Sequence, residues 1–469
     1  MSAKRSGVAL MWFRRDLRLN DNPAWAAATA SHARVTPLYV LDDRLLLPAG
    51  RYRRRQLLAN LHALDASLAE AGGRLLVRRG DPRTVVAQEA ARLQAASAYW
   101  NADVTPYAVE RDAAVRTGID AEVVTPYGHL VLPPGSVVGP GGRLSRVFGA
   151  FHRRWSATEW DRWPEPGNAA IADQAGEPIP QPDGEPPRPP GEAGAFGTLE
   201  RFLAGAADGY REGQNSIGES ASSALSVALR YGTISPRLLA TTIGDSNPDR
   251  RAFVRQLAWR DWFAHLMAET PSLVDHALRP QFDQIAWLDD PAGLAAWKEG
   301  RTGYPIVDAG MRELRATGTM HNRVRMITAS FLVKDLLIDW RHGERHFRHL
   351  LADGDVPQNV GNWQWVAGTG PDAAPYFRIF NPVTQSRTHD AQGRYIRRWV
   401  PELAALDDAA IHAPWEAGPL VLVAGGITLG DTYPEPIVDH ATARLRTLAA
   451  YRAAAGTERP ASRGRAGPA

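Results

Sequence analysis

Val8-Ala-Leu-Met-Trp-Phe13, Arg14-Arg-Asp-Leu-Arg-Leu-Asn-Asp-Asn22 and Pro23-Ala-Trp-Ala-Ala-Ala-Thr-Ala30 follow one another directly. The first is an apolar run of strand length, the second a polar loop, the third an alanine-rich helix opening on proline. The alternation continues. Val35–Val40 reads as a strand, and Arg51–Ala71 as a long amphipathic helix ended by Gly72-Gly73. Arg74–Arg78, Ala98–Asn101 and Ala121–Thr125 read as further strands, with helices over 82–95 and 106–117. Strands alternating with helices predict a doubly wound, parallel α/β sheet, Rossmann-like in layout. No Gly-x-Gly-x-x-Gly follows the first strand, so the dinucleotide fingerprint is missing.

The remainder of the chain has a different character. At 469 residues it has room for two or more domains, each with its own core. The α/β pattern fills residues 5–133. Residues 134–198 hold Trp163-Pro-Glu-Pro and Ile179-Pro-Gln-Pro-Asp-Gly-Glu-Pro-Pro-Arg-Pro-Pro, which cannot propagate a helix or a sheet ladder. They read as a proline-rich interdomain linker, extended where proline is dense. Residues 199–452 carry helical periodicity, with signals at Ser222–Tyr231, Pro236–Ile243, Asp249–Glu269, Tyr304–Thr317 and the long run His321–Arg341. Gly318 and Gly343 read as helix stops. This part is expected to be an all-α domain, and the Gly-, Pro-, Arg- and Ala-rich tail 453–469 to be disordered.

Composition excludes several classes. Hydrophobic residues make up 44% and charged residues 22%, as in ordinary globular proteins. No apolar run reaches the roughly eighteen residues that span a bilayer. The basic N-terminus is followed by an apolar segment soon broken by Arg14, Arg15 and Asp16, so no secretory signal is read. Cysteine is absent, which removes disulfides, thiolate metal sites and cysteine nucleophiles, and fits a cytoplasmic protein. The net charge of +3 is too small to identify a partner; clustered arginine must carry any nucleic-acid argument.

Tryptophan is more informative. Seven of the fifteen, at 259, 262, 287, 297, 340, 363 and 365, lie between Trp259 and Trp365. A generic helical core would use Leu and Ile there. In the run from His321 to Trp340, Asn322, Arg325 and Met326 fall within about one helical turn and share a face or its flank. Leu351-Ala-Asp-Gly-Asp-Val-Pro-Gln-Asn359-Val-Gly-Asn-Trp363-Gln-Trp365 concentrates carboxylates, amides and indoles. No His–carboxylate ligand spacing accompanies the two aspartates, so no metal site is expected.

Six motifs in order resemble the photolyase/cryptochrome family. They are Asp16-Leu-Arg-Leu-Asn-Asp-Asn, Trp259-Arg-Asp-Trp, Thr302-Gly-Tyr-Pro-Ile-Val-Asp-Ala, Met320-His-Asn-Arg-Val-Arg-Met-Ile, Asn362-Trp-Gln-Trp and Asp372-Ala-Ala-Pro-Tyr-Phe-Arg-Ile-Phe-Asn-Pro. The likeness runs from about Val8 to Arg452 and is strongest to bacterial class I cyclobutane pyrimidine dimer photolyases. It implies FAD in the helical domain, an antenna pigment in the α/β domain, and light-driven electron transfer from reduced flavin to a pyrimidine dimer in DNA. The cofactor then carries the hard chemistry while the protein supplies position and electrostatics.

The resemblance also implies roles. Asn359 would face flavin N5 and favour its reduced, anionic form. Asp353, Gly354 and Asp355 would hold the isoalloxazine edge and the sugar or ribityl region. Arg325 would pair with Asp353, and Asn322 would contact the cofactor nearby. Tyr210 and the loop Ser222-Ser223-Ala224-Leu225-Ser226 would hold the pyrophosphate, an anion suited to hydroxyls and backbone N–H groups at a helix start. Trp363, Trp340 and Trp287 would relay electrons from the surface to the flavin. Trp259 and Trp365 would clamp an extruded dimer, with Met326 and Gln256 in the same pocket; base flipping by photolyases is general knowledge. Arg323, Arg378 and Arg387 would contact phosphates. Trp262 and Trp297 are left as core.

The chain departs from the pattern in places. Gln256 stands where the family has an acidic residue against the dimer; it keeps hydrogen bonding but not charge. Ala224 replaces an arginine of the phosphate loop, and Gln214-Asn-Ser-Ile replaces an upstream Arg-Asp-x-Pro. Lost positive charge implies weaker FAD retention. Trp100-Asn-Ala-Asp-Val-Thr-Pro-Tyr-Ala lacks the glutamate of folate-binding relatives. It is nearer to those that bind 8-hydroxy-5-deazaflavin, with Arg51 and Asp103 as contacts; an empty or structural groove stays open. Rival functions are a cryptochrome-type photoreceptor without repair, a (6-4) photolyase, against which Asn322 and Met326 speak, and a dark FAD oxidoreductase, for which no nicotinamide site is seen. A monomer that meets damaged DNA and no membrane is the expectation.

Overall fold

The computed structural model describes residues 5–174, 176–218, 222–372 and 378–456. Most of the tail (457–469) and positions 373–377 of the motif opening at Asp372 therefore lie outside the described residues. Two compact units emerge. One comprises 1–271, 313–321 and 345–359; the other comprises 272–312, 322–344 and 360–469.

In the first unit, strands β1 (Arg5–Phe13), β2 (His32–Leu41), β3 (Leu76–Arg79), β4 (Ala95–Tyr99) and β5 (Glu122–Val124) form a parallel sheet in the order β3-β2-β1-β4-β5. The expected doubly wound sheet is present. Alternate residues of β1 serve opposite faces. Ala9, Met11 and Phe13 join a core with Trp25, Leu61 and Leu64, whereas Leu10 and Trp12 join another with Val86, Trp100 and Val115. Burial on both faces is why these strands read as continuous apolar runs and not as alternating ones.

The segment 134–198 is more ordered than a linker reading allows. Its proline-rich stretches do lack helix and strand. Between them, however, β6 (Ala170–Ile171) pairs with Arg34 and Val35 of β2, along the edge that β3 occupies further on. A helix, Phe148–Ala157, precedes it, and the helix Gly191–Ala204 starts inside the segment's C-terminal end. Proline density marks where ladders stop; it says nothing about whether side chains pack.

In the helical part, Pro236–Ile243, Pro248–Glu269 and Pro305–Thr317 form close to the expected bounds. The first of those signals shortens to Ser226–Tyr231, leaving 222–225 as a loop. The run His321–Arg341 is not one helix. It is a helix Asn322–Ser330, a π turn Phe331–Asp335, a break with Leu337 at φ +53°, and a new helix Trp340–Leu350. Tertiary bonds make the break: Leu288 N–H donates to the Leu337 carbonyl, and Ile338 N–H reaches back to Leu332. Gly318 is a stop, at φ +69°, with Tyr52 where a Cβ would stand. Gly343 is not a stop. It sits inside Trp340–Leu350, and a Cβ there would lie 2.1 Å from Cη2 of Trp363. It is glycine for close approach.

The Thr302–Ala309 motif closes a loop. Asp308, fully buried, accepts from Thr302 N–H and Oγ1, Gly303 N–H and the Tyr433 hydroxyl. Among the described residues, no helix is long and apolar enough to cross a membrane.

Candidate functional site: a buried charge cluster, an indole platform and a tryptophan series

The doubly wound sheet puts the ends of β1 and β4 side by side, the place where such sheets usually take ligands. Here the loops after these strands are cross-linked. Arg14 donates to both oxygens of Asp112, at 2.5 and 2.6 Å, and to the Asn101 carbonyl; Asn101 Nδ2 donates to Asp16 and, at 2.8 Å, to Asn22 Oδ1. Beside them Arg15 bridges two carboxylates. One guanidinium nitrogen donates to Asp103 at 3.4 Å and the other to Asp355.

Asp355 is a focus of charge. Burial alone would raise its pKa, but Arg15, then Arg230 and Arg260, outweigh burial and hold it below the ordinary carboxylate range. Asp103 is treated likewise: burial opposes ionisation, and the cationic Arg15 and Arg14 overcome it. Arg230 also donates to the Gly354 carbonyl at 2.9 Å, and Arg260 to the His129 carbonyl. Burial, reinforced by Arg15, pushes the His129 imidazole down to about 3. It is therefore neutral at pH 7.

The Trp259–Trp262 motif lies on the helix Pro248–Glu269, and its members face different neighbours. Asp261, fully buried, accepts from Val131 and Leu132 N–H and, at 2.9 Å, from Trp155 Nε1. Trp262 Nε1 donates to the Ser145 carbonyl at 2.8 Å. Trp259 is half-buried and lies flat on Phe148, with ring centroids 3.7 Å apart and planes 16° from parallel. Gln256, one turn earlier, is exposed.

The second unit holds Trp287, Trp297, Trp340, Trp363 and Trp365 of the same cluster. Trp363 and Trp340 are buried, Trp287 half-buried. Trp363 meets Trp297 edge-on at 6.1 Å and lies against Gly343. Gly343 stands three residues after Trp340 on one helix, so both belong to one helical face. Trp287 meets Tyr451 edge-on at 6.1 Å. Gln364 ties its helix down: its amide donates to Leu273 and His276 carbonyls and accepts from Leu278 N–H.

The profile described as the FAD binding domain of DNA photolyase matches residues 253–453, and that described as DNA photolyase matches 9–167. A deoxyribodipyrimidine photo-lyase of Agrobacterium fabrum is 40% identical, over 97% of this chain and 99% of its own. The chain belongs to the DNA photolyase family. Among solved structures, a bacterial class III photolyase from Agrobacterium tumefaciens aligns with a TM-score of 0.89 at 38% identity, over 97% of this chain and 99% of that one. An archaeal photolyase from Sulfolobus tokodaii, solved with two FAD molecules, aligns at 0.83 and 32% identity, over 95% and 100%.

Against the photolyase pattern, the predicted residues fall as follows. Asp353, Gly354, Asp355 and Asn359 lie together in the first unit, with Asn359 and Asp355 buried and Asp353 half-buried. Tyr210 is held edge-on by Phe202 and Phe253. Ala224 has φ +54°, a left-handed conformation unusual for a residue with a Cβ, and Ser223 Oγ accepts from Leu225 N–H at 3.4 Å. Ser222 and Ser226 are exposed. In the second unit, Asn322 and Met326 touch, Nδ2 to Sδ 3.9 Å, with Arg325 in the same turn. Burial, then the charge of exposed Arg378, lowers the Arg323 pKa, while Arg387 lies 3.5 Å from Glu416. Trp365 Nε1 lies 3.5 Å from Asp372 Oδ2. The antenna candidates are engaged elsewhere: Asp103 with Arg15 and the amides of Val104 and Thr105, Arg51 with the Arg315 carbonyl and the Tyr52 hydroxyl.

These residues fit FAD. Arg15, then Arg230 and Arg260, keep the buried Asp355 carboxylate ionised, an acceptor suited to the N–H and hydroxyl donors of a flavin edge or its sugar. The left-handed Ala224 shows a loop held in one sparsely populated conformation. Sequence reasoning passed over Arg15, Arg230, Arg260 and Phe148. A lone arginine reads by default as surface charge, and Phe148 lay in a stretch read as linker.

His129 gives a test of the cluster. The unfolded chain takes up a proton near pH 6.5 that the folded protein refuses until about pH 3. Stability from this group is therefore lost as pH falls through that window, with a slope of at most about 1.4 kcal/mol per pH unit. Urea midpoints at pH 7 and 5 should converge in His129→Gln relative to the parent; an unchanged difference would show that His129 titrates normally.

Proposed function

We propose that this chain splits cyclobutane pyrimidine dimers in DNA under light, as a deoxyribodipyrimidine photo-lyase. The observation that carries the reading is 40% identity to a protein of that name along nearly the whole of both chains. The residues at the predicted pocket agree with it: Asn322 and Met326 stand where a (6-4) enzyme would be expected to carry histidines.

FAD, when bound, supplies the photoexcited electron donor. The chain's residues do the rest. Asp353, Asp355, Asn322 and Arg325 orient the flavin, and the Asn359 amide faces its reactive edge. Tyr210 and the Ser222–Ser226 loop hold the phosphates. Trp259 and Trp365 stack the lesion, with Met326 and Gln256 beside it, and Arg323, Arg378 and Arg387 take the DNA backbone. Trp287, Trp340 and Trp363 carry electrons inward. The domain plan of antenna domain (5–133), connecting segment (134–198) and flavin domain (199–452) follows from these assignments. For a second chromophore, 8-hydroxy-5-deazaflavin is favoured over methenyltetrahydrofolate; Asp103 would line such a groove already paired with Arg15, whereas Arg51, bonded to neutral groups, would bring its charge. A cytoplasmic monomer completes the reading.

Reduced protein should be illuminated with defined DNA carrying either a cyclobutane dimer or a (6-4) product. Restoration of the cyclobutane substrate alone is expected. Repair of the (6-4) product would reassign the substrate, and repair of neither would move the protein to the photoreceptor class.

A further inference from the structure

The helix Phe148–Ala157 is fastened to the helix that carries Trp259. Trp155 donates to Asp261, and Trp262 donates to Ser145, three residues before Phe148. Phe151 meets His265 edge-on, with centroids 5.3 Å apart. Asp261 also gathers the amides of Val131 and Leu132. These ties fix where Phe148 stands, and Phe148 is 2% exposed. Its ring covers one face of Trp259. Two further rings touch the same indole: Trp262 edge-on at 5.2 Å and Phe263 tilted at 5.6 Å. Trp259 nevertheless keeps part of its surface exposed.

An indole receives a flat ligand at least cost when its plane is already set. A freely turning side chain would lose rotamer entropy on binding, and that loss subtracts from affinity. A ring stacked on one face removes the freedom beforehand and leaves the other face for the ligand.

We propose that Phe148 is a positioning residue for lesion recognition: by stacking on Trp259 it sets the indole plane against which the pyrimidine dimer packs. The inference rests on the assignment of Trp259 to the lesion pocket. It also gives a role in substrate selection to a segment that its sequence presents as a connector.

Phe148→Leu keeps most of the volume and removes the flat stack; Phe148→Tyr keeps both. Dark binding should be measured on one duplex with and without a single cyclobutane dimer, together with FAD content and thermal midpoint. In Phe148→Leu the preference for the dimer should fall about tenfold, the scale of one aromatic pair. Affinity for undamaged duplex, FAD content and midpoint should stay near the parent's. Phe148→Tyr should restore the preference. An undiminished preference in Phe148→Leu would overturn the inference. So would a loss that merely tracks lost FAD and a lowered midpoint, because that is a packing defect. Parent protein without any preference for the dimer would instead remove the lesion reading, and the inference with it.

Discussion

Trp363→Phe is expected to bring photoreduction of the oxidised protein to background while repair by protein already reduced chemically continues largely intact. The geometry supports such a selective effect. Trp363 is buried, touches Trp297 edge-on, and lies so close to Gly343 that no Cβ fits between them. The helical face that carries Trp340 is thus brought against Trp363 with the smallest possible residue at the contact. Phenylalanine fills most of the indole's space, so packing loss is modest. What disappears is the easily oxidised ring. Trp297 is the control. It is fully buried and its Nε1 donates to the Thr328 carbonyl at 2.9 Å, the pattern of a packing tryptophan. Trp297→Phe should lower the thermal midpoint and leave photoreduction in place. Equal loss of photoreduction and repair in Trp363→Phe, or loss of photoreduction in Trp297→Phe, would show that no separate relay runs through Trp363.

These residues also show what a sequence can disclose. The sheet was readable because its strands are buried on both faces and therefore appear as short apolar runs between loops. The segment from Leu351 to Trp365 was readable because its polar and aromatic residues are neighbours in the chain. The break at Leu337 was not. It contains neither glycine nor proline, and it is made by hydrogen bonds from Leu288 and within the turn itself. Gly343 misled for a related reason. Glycine ends helices through its backbone freedom, but here it serves by lacking a side chain against a tryptophan twenty residues on. Phe148 and Asp261 escaped notice because their roles depend on partners in a stretch whose prolines suggested a bare connection.

The charge cluster was hidden most completely, and it yields the largest expected effect on the folded state. Arg15 reaches Asp103 across 88 positions and Asp355 across 340, distances at which no local pattern can pair them. Arg15→Met should destabilise the protein by about 3–5 kcal/mol, the usual result of removing one partner from a buried ion pair. It should also lose FAD during dialysis faster than the parent does, because Asp355 loses the donor that orients it. The cause can be separated from general damage. Removing the carboxylate that then lacks its partner, in Arg15→Met with Asp103→Asn, should recover part of the stability, since an amide is far less costly to bury than an unpaired charge. Arg15→Lys should fall between, because a compact ammonium lacks the planar fork with which one guanidinium sends separate nitrogens to two carboxylates. Urea unfolding and flavin absorbance per protein measure both quantities. If Arg15→Met stays within about 1 kcal/mol of the parent, the range of an exposed pair, and keeps its FAD, then Arg230 and Arg260 suffice to hold Asp355. Arg15 would then be a dispensable neighbour of that carboxylate and not its anchor.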